Sequence, residues 1–129
     1  MDSRELGLVL AQQILGVEDL HYGLWDDDLP LTLANVNEAQ QRYTRMLLGA
    51  LPPADSVDGG VRVLDVGCGT GHTLVQMLDA GYRADGLVPA AHLAEKVRAR
   101  LAQRPGCEAK LFETRFEDLP EEGRRNAYD

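Results

Sequence analysis

The 129 residues carry a formal net charge of −8, with only two cysteines and three histidines. This length suits one small domain, and the acidic balance with no basic stripe excludes a nucleic-acid backbone as the expected partner. Cys68 and Cys107 form neither a disulfide framework nor a metal-ligand set, and His21, His72 and His92 stand singly, so no metal is expected. The start lacks a signal-peptide pattern and no apolar run approaches membrane-spanning length, which predicts a cytoplasmic protein with no membrane partner.

Ser3 can cap a first helix in which Leu6, Val9, Leu10 and Ile14 recur at helical spacing, with Gly16 as its stop. The pattern predicts an amphipathic helix with an ordinary core face. Residues 17 to 31 then lose periodicity: Leu20-His21-Tyr22-Gly23-Leu24-Trp25 is followed by Asp26-Asp27-Asp28-Leu29-Pro30. Two readings stay open for this loop. Its aromatics pin it to the domain while the aspartates are solvated, or they roof a bound ligand. From Asn37 a second helix is predicted to about Leu51, with Tyr43, Met46, Leu47, Ala50 and Leu51 on one face, and Pro52-Pro53 ends it. Residues 52–60, rich in Pro, Asp, Ser and Gly, read as a linker between a helical extension (1–51) and a sheet domain (61–129).

The stretch Val61-Arg62-Val63-Leu64-Asp65-Val66-Gly67-Cys68-Gly69-Thr70-Gly71 reads as strand, tight loop and the start of a helix running from His72 to Ala80. The strand is short and apolar, as expected of a parallel strand covered on both faces. Three alternating glycines can adopt backbone angles closed to other residues, and the following helix start suits an anionic group. A second strand is predicted at 83–88. Pro89 then opens a helix with Leu93, Val97 and Leu101 repeating, Pro105-Gly106 stops it, and a third strand follows at 108–113. The β-α-β-α-β order makes this an α/β chain with a parallel, right-handed, doubly wound sheet. A dinucleotide fingerprint would need glycine where His72 stands, and the Gly-Lys-Ser/Thr of a phosphate loop is absent.

Asp65-Val66-Gly67-Cys68-Gly69-Thr70-Gly71 resembles motif I of the class I S-adenosylmethionine-dependent methyltransferases of small-molecule type. The resemblance implies a Rossmann-like sheet, S-adenosylmethionine as cofactor and a small-molecule acceptor. It further implies that Gly67, Cys68, Gly69 and Gly71 cradle the methionine end and that Asp65 orients the loop or meets the amino group. Leu87 and Val88 at the end of strand two, and Phe116 after strand three, belong to the same cofactor set. His21-Tyr22-Gly23-Leu24-Trp25, with Thr32-Leu33 and Glu38-Ala39-Gln40, resembles the N-terminal extension of sterol, tocopherol and cyclopropane-fatty-acid types. That places Tyr22 on the cofactor side, and for Gln40 two readings stay open: the cofactor side or a solvent-facing helical glutamine.

Three departures accompany the resemblance. Relatives end strand two with an acid that binds both ribose hydroxyls, where this chain has Val88; Asp85, three residues earlier, points to the other face. Around Arg115-Phe116-Glu117-Asp118 only Phe116 carries over, and the two acids read as a solvated turn. Asn126-Ala127-Tyr128-Asp129 resembles the opening of strand four, which in the family order 3-2-1-4-5-7-6 pairs with strand one. A sheet truncated before strand four leaves that edge bare. The expectation is the first half of a methyltransferase, its edge covered by a homodimer partner or a missing C-terminal half. No catalytic residue is assigned, since in-line methyl transfer needs no dedicated base, and a loop histidine such as His21 more commonly serves structure. Two alternatives stand beside this reading: a non-catalytic or incomplete methyltransferase-like subunit, and another nucleotide-binding Rossmann protein. Nothing selects oxygen, nitrogen, sulfur or carbon as the accepting atom.

Overall fold

Ser3–Leu15 forms α1 and Val36–Ala50 forms α2, the latter led in by a short 3-10 turn, Leu33–Asn35. The computed structural model describes residues 3–17, 19 and 21–129, so the expectations for Leu20 and the first two residues lie outside it. The described chain divides into two units, Met1–Ala50 and Leu51–Asp129.

In the first unit both predicted helix faces are corrected. Leu6, Leu10 and Ile14 of α1 are exposed rather than core, at 50%, 45% and 74%. On α2 the buried residues are Ala39, Gln40 and Thr44, while Met46 and Leu47 face solvent. The cause is what packs there. Asp19 and residues 21–24 lie on α2, and they meet the helix along Ala39, Gln40 and Thr44 instead of the more apolar row. Leu24 N–H donates to the Ala39 carbonyl at 2.7 Å. Gln40 Nε2 donates to the carbonyls of Asp19 and His21 at 3.0 and 2.8 Å. Gly23 sits so close that an added Cβ would lie 2.6 Å from the Ala39 carbonyl carbon.

The acidic end of the loop is tied down as well. Arg42 pairs with Asp28 at 2.9 Å, with Asp26 at 3.4 Å and with Glu38 at 3.0 Å. Its guanidinium holds the Asp28 carboxyl below the usual carboxylate range, and Arg42 with Arg45 does the same to Glu38. Asp26 and Asp28 are therefore paired as well as exposed. Tyr22, at the tip, is 95% exposed, and its carbonyl accepts the Trp25 indole N–H at 2.9 Å.

The second unit contains β1 (Arg62–Val66), α3 (His72–Asp79), β2 (Arg83–Leu87), α4 (Ala91–Ala102) and β3 (Leu111–Phe112). The three strands are parallel in the order β1-β2-β3, with Val66 beside Leu87 and Leu87 beside Phe112. β1, α3 and β2 are each one residue shorter than expected, β3 has only two residues, and α4 opens after Ala90 rather than at Pro89. Val61, Leu74, Ala84, Ala94 and Val97 are buried between sheet and helices. Gly86 is a contact point, because an added Cβ would lie 2.8 Å from Leu74 Cδ2 and 3.0 Å from Cys68 Sγ.

Coverage on both faces of β1 is not observed: Val66 is 54% exposed and Leu64 half-buried. Both crossovers run in the same direction along the sheet, and their common right-handedness puts α3 and α4 on one face. Residues 113–129 contribute the other contacts. Leu119 is buried, and Tyr128 Oη donates to Asp85 Oδ2 at 2.9 Å. Arg83 N–H donates to the Val61 carbonyl, so the polar groups of the next residue, Arg62, point to the opposite edge of β1. There Arg62 O accepts Asp129 N–H at 3.0 Å, and Arg62 N–H donates to Asp129 Oδ2 at 2.9 Å. That edge is where a fourth strand is expected to pair.

Gln40→Leu leaves two loop carbonyls without their donor and is expected to destabilise the first unit by about 1–3 kcal/mol. Fluorescence of Trp25, the only tryptophan, reports the loss in a denaturant titration. Gly86→Ala is expected to cost about 1–3 kcal/mol by overpacking against Leu74 and Cys68, read as a lowered unfolding midpoint.

Candidate functional site

Ligands of open α/β sheets bind beyond the carboxyl ends of the strands. Here that end is built from residues 65–71 and 87–88. After Val66 the backbone turns through Gly67 and Gly69 at φ +73° and +56°, and Gly71, at φ +81°, caps α3. The outer glycines do different work. An added Cβ at Gly67 would meet nothing within 4 Å, whereas one at Gly71 would lie 3.1 Å from Val97. Gly67 borders open space beside the exposed Val66; Gly71 lets α3 approach α4 closely.

The loop is fastened by one atom. Gly67 N–H and Cys68 N–H both donate to the Leu87 carbonyl, at 2.8 and 3.1 Å. Gly71 N–H then closes the turn on Cys68 O at 2.8 Å. Leu87 and Val88 are buried, and Val88 N–H donates to Phe112 O at 3.0 Å. Cys68 is buried with its sulfur toward Gly86, and that burial, with the Asp65 charge second, pushes its thiol up to about 12. Asp65 stands beside Gly86 in the sheet register with Oδ2 buried.

The structure thus gathers Asp65, Gly67, Cys68, Gly69, Gly71, Leu87 and Val88 at one strand end. Asp85 is committed elsewhere: Oδ1 accepts Lys110 N–H at 2.7 Å and Oδ2 accepts the Tyr128 hydroxyl. Phe116 opens a 3-10 turn, is 43% exposed, and lies under the Arg124 guanidinium at 5.9 Å. Glu117 and Asp118 are exposed. Tyr22 belongs to the other unit. His21 Nδ1 accepts Gly23 N–H at 3.2 Å, while Nε2 lies 3.7 Å from Asp19 Oδ2 and 3.5 Å from Thr44 Oγ1. With both ring nitrogens engaged, His21 serves the loop. Gln40 is likewise spent on loop carbonyls.

A cavity of about 1050 Å³ opens elsewhere, lined by Arg62, Arg83, Asp85, Lys110 and Tyr128 among others. It lies toward the amino ends of β1 and β2, and the ion pairs Arg62–Asp129 and Arg104–Asp79 occupy its charged walls. The open backbone is at the glycine loop, which is the candidate site. Sequence reasoning missed the Leu87 carbonyl as a fastener, because a main-chain acceptor leaves no residue-type signal. It also missed the Arg124 cap on Phe116.

Residues 63–129 match the methyltransferase domain family. The chain belongs to that family. S-adenosylmethionine is the family's cofactor. Among relatives, 27-O-demethylrifamycin SV methyltransferase of Amycolatopsis mediterranei (strain S699) is 37% identical over 95 residues, covering 74% of this chain and 30% of that protein. Geranyl diphosphate C-methyltransferase from Streptomyces coelicolor A3(2), solved with Mg2+, geranyl diphosphate and S-adenosyl-L-homocysteine, shares the fold at a TM-score of 0.62 and 20% identity. That match covers 84% of this chain and 44% of the other. The [4+2]-cyclase SpnF shares it at 0.59 and 24%, covering 84% and 38%. The chain therefore spans less than half the length of each of these proteins.

The buried thiol gives a pH prediction. A thiol raised from 9.0 to about 12 in the fold adds stability below pH 9.0 that is lost as pH rises toward about 12. Iodoacetamide labelling of the native protein at pH 8, read by mass spectrometry, is expected to modify half-buried Cys107 and spare Cys68.

Proposed function

We propose that the protein containing this chain transfers the methyl group of S-adenosylmethionine to a small-molecule acceptor, and that the glycine loop holds the methionine end of the cofactor. The observation that carries the reading is the open side of Gly67 at the end of β1, in a chain of the methyltransferase family. The name of the 37% identical relative, a methyltransferase of a small molecule, supports the acceptor class.

The cofactor supplies a methyl group already activated by its sulfonium, so the protein's contribution is position and exclusion of water. In this reading Gly67 leaves room for the ligand against the main chain, and Gly69 carries the turn around it. Asp65 orients the loop from beneath, and Gly71 starts α3 with its positive end toward the ligand. Leu87 and Val88 form an apolar floor, with Phe116 bordering the nucleoside. No side chain is assigned as a base.

One observation favours a second reading, a family member that keeps the fold without methyl transfer. Val88, which cannot accept a hydrogen bond, stands where the methyltransferase pattern carries the ribose acid. Calorimetric titration with S-adenosylhomocysteine, followed by methyl-transfer assays with phenols, amines and thiols, separates the two. Micromolar binding with turnover supports the first; binding without turnover on any acceptor supports the second. Gly67→Val places a side chain in the open space at φ +73°, costing about 1–2 kcal/mol of backbone strain. It is expected to weaken S-adenosylhomocysteine at least tenfold while the protein stays folded, because the space it fills is the ligand's.

A further inference from the structure

The fastening of the glycine loop to Leu87 places residue 88 directly beside it. In nucleoside-binding folds of this kind, an acid about 20 residues beyond the glycine turn accepts hydrogen bonds from the ribose hydroxyls. Val88 occupies that place. It is 3% exposed, and its N–H is taken by Phe112 O. The stretch Leu87-Val88-Pro89-Ala90-Ala91 carries no side chain able to accept a hydrogen bond. Two nearby acids are engaged elsewhere: Asp85 with Lys110 N–H and the Tyr128 hydroxyl, and Glu113, just beyond β3, with Arg98.

A site built to bind a hydroxyl rejects the analogue lacking it, because its own polar group is left unpaired. An apolar rim has no such group to strand. We propose that Val88 sets nucleoside specificity: the protein accepts S-adenosyl nucleosides altered at the 2′ or 3′ position, because no carboxylate reads the ribose diol. This rests on the proposed function above. The ribose hydroxyls keep their water in the complex, and affinity comes from the loop and the adenine side.

The test is calorimetric titration of the full chain with S-adenosylhomocysteine and its 2′-deoxy and 3′-deoxy counterparts. The expected result is three dissociation constants within about threefold of one another. A loss of tenfold or more for either deoxy compound, the size of a missing charge-assisted bond, overturns the inference and leaves the proposed function standing. Absence of binding by all three overturns both. Val88→Asp is expected to create the discrimination, with the deoxy compounds falling roughly 10- to 100-fold behind. A folded Val88→Asp protein that binds all three alike also overturns it. Since position 88 is buried and the variant can fail to fold, the comparison on the unaltered chain decides alone.

Discussion

Everything at the carboxyl end of the sheet depends on the Leu87 carbonyl accepting two N–H groups from the glycine loop. One oxygen at the end of β2 thereby fixes where β1 turns, where α3 starts and which glycine faces outward. Two backbone bonds also remove two donors that a ligand could otherwise use. The loop therefore offers shape more than hydrogen bonds at Gly67 and Cys68. The close contacts around Gly86 and Gly71 follow from the same geometry: with the loop held down on β2, Cys68 and Leu74 press on Gly86, and α3 meets Val97.

The first unit solves a related problem by different means. The loop is ordered by the buried amide and the half-buried guanidinium of α2, Gln40 gathering two carbonyls and Arg42 two aspartates. The outcome is an exposed Tyr22 on a well-tied backbone. Ordering a long loop costs conformational entropy, and it is offset here by polar contacts concentrated on one helix face.

The elements legible in the sequence are those with strong local signals. The apolar run and glycines of 61–71, the helical repeat of 93–101 and the proline stop after α2 all correspond to observed elements. The glycine turn was legible for the same reason, since glycine spacing is a property of residue type. What misled the reading was partner choice. The rows Leu6-Leu10-Ile14 and Met46-Leu47 look like core, yet the elements packed in their unit meet other faces, and periodicity cannot say which face a neighbour selects. The short β3 reflects pairing with one strand only at Gly86 and Leu87. Two-sided coverage of β1 failed because both crossovers lie on one face.

On this geometry the Leu87 carbonyl holds the glycine loop in place before any ligand arrives. Amide hydrogen exchange of the ligand-free protein, resolved by residue with NMR, tests it most directly. Gly67 and Cys68 N–H are expected to exchange as slowly as the amides of β2, through global opening alone. Exchange of both within the dead time, with the β2 amides still protected, would contradict it and make the loop a structure formed by its ligand.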